Sequence, residues 1–539
     1  MTDLDLGGPG TRGKARAWAA LVAAAAVVPF AISGTFGFVW DDWLLLVENP
    51  YVTGGTPWRD LFTHDLWAFA PGNMVSHAFY RPIPLLLWRT LFAIFGNDPL
   101  PFHLTNVVLH AATAVLLFLV ARSLVDTAAA VVGACVFAAY PLRVEVVTWV
   151  AGGIDLLVGA FLLGAVLGFL RFWRSGRAAW LAAGAGALVL ALLSKEVAFA
   201  LVPFVVLVVA LHGPRDRRAW LIAGVVVASS TAVWLVRARF VAELLPGQLA
   251  AGKLLTLPVL LARYLVAMVV PWPHVLHSTM APVTGAGDWR LLVALAGLGA
   301  GAWLMHRAGA GPRTLPATLV LWLLLTLAPA CVGASPSTLY AERYTYVPGM
   351  AAAVLLAMLV LTAFRRIELA GPRRTVALAC LVAACAAVSI ARALTWRDDE
   401  TLYRAMMAQD ERDPYPLFSL GMRLVSSGRA PEARPLFERA VVLDPRHGAT
   451  LNALGNFALM DGRLSTAADY YRRAVEAQPA NLDALYGLGH ALALGGRCDE
   501  ARRIHATLWT GSDAASRAMQ GKIRAIGDPL QLALIQGCR

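Results

Sequence analysis

Two adjacent acids near the start of the chain could carry chemistry. Asp41 and Asp42 come directly after the first apolar segment, in the run FVWDDWLLLVENPYV. Carboxylates at the edge of an apolar region lose hydration and repel each other, so keeping two of them together is costly. One could act as a general base toward a hydroxyl while the other orients it or binds a metal ion. Equally, both could simply cap a helix, since Asp is favoured at helix ends.

Three cations lie in comparable positions next to apolar runs. Arg81 precedes an apolar, interfacial segment, where a guanidinium could bind a phosphate through two hydrogen bonds or extend toward lipid headgroups. Lys195 and Glu196 share a short hairpin, either as a local ion pair or as a pair that faces a site. Arg343 follows Glu342 in a tyrosine-rich loop, and the aromatic belt explains the tyrosines but not the arginine.

Two further acids belong to the segment PLRVEVVTWVAGGIDLL, which joins two apolar runs. Glu145 lies in the connection, and Asp155 lies about one helical turn inside the second run. An acid at that depth is a functional candidate by default, and a hydrogen-bonded structural Asp is the equal alternative.

The composition indicates that lipid surrounds much of the chain. Of 539 residues, 58% are hydrophobic and 15% are charged, whereas about a quarter of a soluble protein is charged. We predict about eleven transmembrane helices, at 17–36, 102–121, 126–141, 152–170, 178–193, 197–212, 219–236, 289–306, 315–332, 347–364 and 375–394. The net charge of +12 comes mainly from Arg in short clusters between these runs, which indicates membrane orientation and argues against nucleic-acid binding.

The Arg clusters predict which loops are cytoplasmic. With the N-terminus inside, alternate loops hold the clusters, and the opposite loops hold most of the acids and all of the candidate site residues. The long loop 37–101 is then the first outer loop. A further span at residues 254–270 would place the later Arg cluster, Arg365–Arg374, on the outer side. Pro258 and Arg263 interrupt this segment, so we predict an interfacial or re-entrant helix there. Several acids and three cations could then converge on an anionic lipid headgroup at the outer face.

A repeat of 34 residues follows the apolar region. It links Gly421, Gly455 and Gly489, and likewise Gly428, Gly462 and Gly496. Small residues at this period are typical of tetratricopeptide (TPR) repeats, which bind peptides or proteins. The predicted fold class is therefore all-α, with a polytopic membrane domain at 1–395 and a TPR solenoid at 396–539.

Cysteines and histidines give weaker signals. Six Cys in so long a chain exclude a disulfide scaffold, although Cys498 and Cys538 could pair in an extracytoplasmic domain. His64, His77 and His103 match no metal motif, and we expect them to form hydrogen bonds.

Taken in order, these motifs resemble a known family over nearly the whole chain. The runs WDD…ENP, FYRPI, HLTNVVLH, PLRVEVVTWVAGGIDLL, SKE and ERYTYVP, followed by TPRs, are similar to the transmembrane-and-TPR O-mannosyltransferases of the type C glycosyltransferase superfamily. The resemblance implies transfer of a mannose-like sugar from a polyprenyl-phosphate donor to a protein acceptor on the outer face. It implies that Asp41 and Asp42 are catalytic and that Arg81 contacts the donor phosphate.

Further roles follow from the same resemblance and the predicted topology. Lys195 and Arg343 would help to hold the phosphate, with Glu145, Asp155, Glu196 and Glu342 in support. No cofactor is required, although a divalent metal ion bridging acids and phosphate is compatible with the chemistry. The Ala-, Gly- and Arg-rich usage suggests a bacterial cytoplasmic membrane with the TPRs outside. The alternatives are a non-catalytic TPR scaffold and a transporter of lipid-linked sugar or solute.

Overall fold

A computed structural model describes residues 9–70, 79–213, 216–241, 251–278, 280–333, 339–511 and 514–537. These residues form helices and turns, and no strand occurs among them. The described chain divides into two compact units, of which the first ends at Asp398 and the second begins its main part at Asp399. The predicted all-α class is confirmed.

The first unit contains fifteen described α-helices. They are α1 (Pro9–Val27), α2 (Pro50–Thr53), α3 (Pro82–Phe95), α4 (Pro99–Ala121), α5 (Thr127–Ala139), α6 (Val144–Thr148), α7 (Gly153–Ser175), α8 (Ala178–Leu192), α9 (Leu201–His212), α10 (Arg217–Arg237), α11 (Ala251–Ala267), α12 (Trp289–Arg307), α13 (Leu315–Gly333), α14 (Pro348–Arg366) and α15 (Gly371–Ala393). Each of the eleven predicted apolar segments overlaps one of these helices, and the first, 17–36, continues beyond the end of α1.

Several of these helices are long and apolar enough to cross a membrane. Within the described ranges there are seven, and an eighth if the pair α5 and Pro141–Thr148, bent by 55°, forms one broken span. Others, including α3, α8 and the apolar part of α11, are shorter. The chain is thus a multi-pass membrane protein, and the count of eleven spans and the interfacial position of 254–270 stay predictions.

Glycines allow helices α7 and α8 to cross closely. A Cβ atom on Gly168 would lie 2.8 Å from the Cα atom of Gly184, and one on Gly184 would lie 2.7 Å from the ring of Phe169. Real Cβ contacts are never this short, so only glycine permits the two backbones to approach in this way. The α7–α8 pair carries Asp155 near one end and leads into Lys195 at the same end of the hairpin.

The second unit is a series of paired helices. They are α16 (Asp399–Gln409), α17 (Pro414–Ser426), α18 (Ala430–Leu443), α19 (Gly448–Met460), α20 (Leu464–Ala477), α21 (Leu482–Leu494), α22 (Cys498–Thr510), α23 (Ala514–Ala525) and α24 (Pro529–Gly537).

Both sets of repeated glycines have a structural reason. Gly428, Gly462 and Gly496 adopt φ values of 78°, 72° and 77° at the turns inside the helix pairs, a region that glycine enters freely. A Cβ atom on Gly421 or Gly455 would lie 2.6 Å from the ring of the residue that crosses it, Phe437 or Tyr471. The predicted TPR repeats are confirmed.

Candidate functional site

The turn that carries the two acids is fixed to a distant segment by Asp42. Its carboxylate accepts hydrogen bonds from the backbone N–H of Val39 at 3.2 Å and from that of Ala151 at 2.8 Å. The side chain is fully buried and makes no hydrogen bond to the start of the helical turn Trp43–Val47 that follows it. Burial raises the pKa of Asp42 well above its usual range, and the two N–H donors oppose that shift. Asp42 therefore holds the turn in place rather than capping a helix.

The segment that receives Asp42 is itself held from α4. The side-chain amide of Asn106 donates to the carbonyls of Trp149 at 2.9 Å and Val150 at 3.2 Å. A Cβ atom on Gly153 would lie 2.6 Å from the Asn106 oxygen, so glycine is needed for this close approach. The motif HLTNVVLH thus supports the acidic turn through its Asn, a role that its apolar pattern did not indicate.

Asp41 has a different environment from its neighbour. Its side chain is partly buried, and burial raises its pKa to about 6, while the nearby Arg343 guanidinium lowers it. A carboxylate with a pKa near neutrality can accept a proton during a reaction at physiological pH. Of the two predicted acids, Asp41 is therefore the one suited to proton transfer, and Asp42 the one suited to positioning.

Arg343 links Asp41 to a second acid. Its Nη1 lies 2.5 Å from Oε1 of Glu145, and its backbone N–H donates to Oε2 of the same carboxylate at 2.8 Å. The guanidinium also lies over the Trp149 ring, with its carbon 5.6 Å from the ring centre. These contacts fix the cation beside Asp41.

Lys195 and Asp155 form the next pair. The Lys195 ammonium lies 2.6 Å and 2.7 Å from the two Asp155 oxygens. Tyr344 connects this pair to Arg343, because its ring centre lies 5.3 Å from the Lys195 nitrogen and 5.1 Å from the Arg343 guanidinium carbon. The predicted acid inside α7 is thus ion-paired rather than alone.

Glu196, the residue after Lys195, binds two guanidinium groups. Arg81 donates from Nη2 to Oε2 at 2.6 Å and from Nε to Oε1 at 3.3 Å, and Arg237 donates to Oε1 at 2.8 Å. Arg237 was not among the predicted site residues. It lies at the end of a predicted span, and the alternation of Arg clusters places that end on the outer side of the membrane. An Arg there runs against the positive-inside bias, and this was the signal that could have identified it.

Six of the nine predicted residues are thus linked through side-chain interactions, namely Asp41, Asp42, Glu145, Asp155, Lys195 and Arg343. Arg81 and Glu196 form a pair that adjoins them through the Lys195–Glu196 peptide, and Glu342 has partners of its own. Its carboxylate accepts from the backbone N–H of Val275 at 2.9 Å and lies 3.1 Å from Nδ1 of His274. Arg392 lies 3.7 Å away. Glu342 thus ties the segment that carries Arg343 to His274, Val275 and Arg392.

The remaining candidates concern metal ions and cysteines. His103 and His64 form hydrogen bonds with Gly37 and Thr63, as expected, and His77 lies outside the described residues. No group of three or more His, Cys, Asp or Glu side chains that could hold a metal ion occurs in the described part of the chain. Cys498 is disulfide-bonded, and its expected partner, Cys538, lies outside the described residues.

Comparisons with known proteins agree with the motifs. Residues 76–237 match the family model of dolichyl-phosphate-mannose-protein mannosyltransferases, and residues 418–481 and 458–510 match models of tetratricopeptide repeats. The chain is 38% identical over 170 residues to the protein O-mannosyl-transferase Tmtc2 of Drosophila melanogaster. Over these residues the chain is similar to protein O-mannosyl-transferases. The human protein O-mannosyl-transferases TMTC3 and TMTC4 are each 33% identical to it, over 135 and 173 residues.

These matches cover only part of each protein. They include 30%, 25% and 29% of this chain and 18%, 15% and 23% of Tmtc2, TMTC3 and TMTC4, so the chain spans less than a quarter of the length of each relative. Among solved structures, an archaeal oligosaccharyltransferase from Archaeoglobus fulgidus, in complex with an inhibitory peptide and a dolichol-phosphate, is similar at a TM-score of 0.43 and 14% identity. That likeness covers 72% of this chain and 56% of the other.

Proposed function

We propose that this chain is a membrane glycosyltransferase that transfers a mannose-like sugar from a polyprenyl-phosphate donor to a hydroxyl of a protein acceptor. The observation that carries the proposal is the placement of Asp41, a carboxyl with a pKa of about 6, beside Arg343 and its partners Glu145, Asp155 and Lys195. A base next to a group of fixed cations suits a reaction in which a proton leaves one oxygen and negative charge develops on another.

The reaction would be a single displacement that inverts the anomeric carbon. The acceptor oxygen forms a bond to that carbon while the bond from the carbon to the lipid-phosphate oxygen breaks. The acceptor proton goes to Asp41, and the electron pair of the broken bond leaves with the phosphate. Asp42 does not meet the reactants in this scheme, because both of its oxygens accept backbone N–H groups.

The cations would stabilise the departing phosphate. Arg81, Lys195 and Arg343 each contact a carboxylate, which fixes their positions before the donor binds. Such pre-arranged charges need little reorganisation during the reaction, and electrostatic stabilisation of this kind is usually the largest contribution to catalysis. The paired carboxylates Glu145, Asp155 and Glu196 would thus orient the cations rather than take part in bond making.

Lipid phosphate is a good leaving group, so the scheme does not need a metal ion. A divalent ion that bridges Asp41 and the donor phosphate would supply the same charge stabilisation as the cations. We propose that the residues named above suffice, and transfer should then persist after chelation with EDTA.

The proposal includes an orientation and a partner. The alternation of Arg clusters supports an orientation with the site and the TPR unit on the outer face. The Ala-, Gly- and Arg-rich composition supports a bacterial cytoplasmic membrane. The TPR repeats would bind the protein acceptor or a protein that delivers it, because stacked helix pairs present an extended binding surface.

Reconstitution with a polyprenyl-phosphate mannose tests the proposal against its two rivals. The purified chain in vesicles should attach the sugar to an acceptor peptide. Movement of the donor across the bilayer without transfer would identify a transporter, and neither activity would identify a scaffold.

Arginine variants test the role of the cations in the same assay. Arg81→Gln should reduce transfer mainly by raising the KM for the donor, because it removes a group proposed to bind the phosphate. Arg59→Gln is a matched control, since Arg59 lies in the same outer loop and its side chain is 84% exposed. Equal losses in both variants would argue against a specific role of Arg81.

A further inference from the structure

Trp40, the residue before Asp41, has an unusual backbone conformation. Its φ is 57°, in the left-handed region that bulky L-residues rarely adopt. Such strain persists only where the surrounding structure imposes it, and it occurs most often at functional sites.

Two other indoles hold Trp40 in this conformation. Its ring stacks on Trp149 with 5.4 Å between centres and an angle of 26°, and it lies 6.0 Å from Trp396. Trp149 and Trp396 are buried and lie 6.2 Å from each other. The energy of this aromatic packing offsets the cost of the left-handed backbone.

The Trp40 stack and the Asp42 hydrogen bonds reach the same short segment. Trp40 packs on Trp149, and Asp42 accepts from the N–H of Ala151. Asp41 lies between these two anchors in sequence, and the Arg343 guanidinium lies over the ring of Trp149. One segment, 149–151, therefore sets the positions of both Asp41 and the cation beside it.

We propose that Trp40 is a positioning residue, whose strained backbone and stacked ring aim the Asp41 carboxylate at the acceptor hydroxyl and hold it at a fixed distance from Arg343. The catalytic role of Trp40 rests on the proposed function, but the placement of Asp41 can be measured without sugar transfer. The charged groups that face Asp41 are Asp42 from its own turn and Arg343, which is bound to Glu145 of α6.

Three substitutions separate the roles of the ring and the backbone. Trp40→Ala removes the stack and keeps the strain, Trp40→Gly removes both, and Trp40→Phe keeps an aromatic ring. Because glycine adopts positive φ freely, Trp40→Gly should fold at least as well as Trp40→Ala. Trp289→Ala is the matched control, since Trp289 is 71% exposed and lies at the start of α12.

The first readout is transfer. In Trp40→Ala and Trp40→Gly we expect kcat to fall by about 10- to 100-fold, the range that a misplacement of about 1 Å produces, with the donor KM unchanged. Trp40→Phe should keep more of the activity, and Trp289→Ala all of it. If Trp40 had only a structural role, its substitution would lower the yield or the Tm of the protein. It would not lower kcat selectively while the donor KM stays unchanged.

The second readout is labelling of Asp41 with a hydrophobic carbodiimide, which reacts with protonated carboxyl groups. Fragment mass spectrometry at a series of pH values gives the midpoint for Asp41. In wild type it should lie near pH 6, and in Trp40→Gly it should move toward the ordinary range of an Asp, because a released turn exposes the carboxyl to water.

The outcomes separate the two proposals. A shifted midpoint with reduced kcat supports the role of Trp40. A shifted midpoint in a chain whose wild type transfers no sugar supports the positioning of Asp41 and overturns the proposed function. An unshifted midpoint and full kcat in Trp40→Gly would overturn the role of Trp40.

Discussion

At the residue scale, the two neighbouring acids differ in what their side chains contact. Asp42 accepts two backbone N–H groups and is fully buried, whereas Asp41 is partly buried beside a cation. Substitution of each by Asn should therefore have opposite effects on stability.

Asp41→Asn should stabilise the protein in a pH-dependent way. The pKa of Asp41 is about 6 in the folded protein and 3.8 without its surroundings, so ionising it costs folded-state stability. That cost is complete above pH 6 and disappears as the pH falls toward 3.8. The variant should gain on the order of 1–3 kcal/mol at pH 8. Thermal unfolding in detergent at pH 8 and pH 4.5 measures this, and an equal gain at both pH values would contradict the assignment.

Asp42→Asn should destabilise the protein. An amide offers one oxygen acceptor where the carboxyl offers two, so the N–H of Val39 or of Ala151 loses its partner. A buried donor left unpaired costs about 1–3 kcal/mol. Unfolding at pH 4.5, where most of the cost of ionising this buried carboxyl is absent, should give a lower Tm than wild type. An unchanged Tm at that pH would mean that the turn does not depend on Asp42.

At the element scale, the crossing of α7 and α8 fixes the position of the hairpin end that carries Lys195. Gly168→Ala places a Cβ atom 2.8 Å from the Cα atom of Gly184, and backbone cannot move aside as a flexible side chain would. We expect a loss of about 1–3 kcal/mol, the usual cost of overpacking.

Gly186→Ala provides the matched control for that substitution. Gly186 lies on α8 as well, but a Cβ atom there meets nothing within 4 Å. Alanine should be neutral or slightly stabilising at this position, since it favours helix over glycine. Similar Tm values for both variants would show that the helices do not cross as closely as described.

The elements were predictable where the signal is local or periodic. Apolar runs identified the long helices, and the period of 34 residues identified the TPR unit because Gly455 and its equivalents are needed at every crossing. Pairing within the site was not predictable. Arg343 and Glu145 are 198 residues apart and Arg81 and Glu196 are 115 apart, so no local pattern records that they meet.

The structural cap suggested for Asp42 illustrates the same limit. Asp at the start of a helical turn is a common cap, yet the partner that Asp42 takes is Ala151, 109 residues away. Arg237 was missed because it lies directly after the predicted span 219–236, although the alternation of Arg clusters already implied its side of the membrane.

At the scale of the whole molecule, the predicted orientation is open to a direct test. Alkaline phosphatase fused after residue 539 should be active, and green fluorescent protein at the same position should stay dark, because the Arg clusters place the C-terminus outside. Fusions after residue 370, between the clusters Arg365–Arg366 and Arg373–Arg374, should give the reverse. An inactive phosphatase and a fluorescent green fluorescent protein at the C-terminus would put the TPR unit in the cytoplasm.

The central claim is that Asp41 is the base of a sugar transfer, and the pH dependence of the transfer rate tests it most directly. In wild type, kcat/KM should fall as the pH drops below about 6, because the base becomes protonated. Asp41→Asn, assayed beside it with polyprenyl-phosphate mannose, should be slower by roughly 10²- to 10⁴-fold and should lack that acid limb. A variant that transfers at the wild-type rate with the same pH profile would contradict the claim.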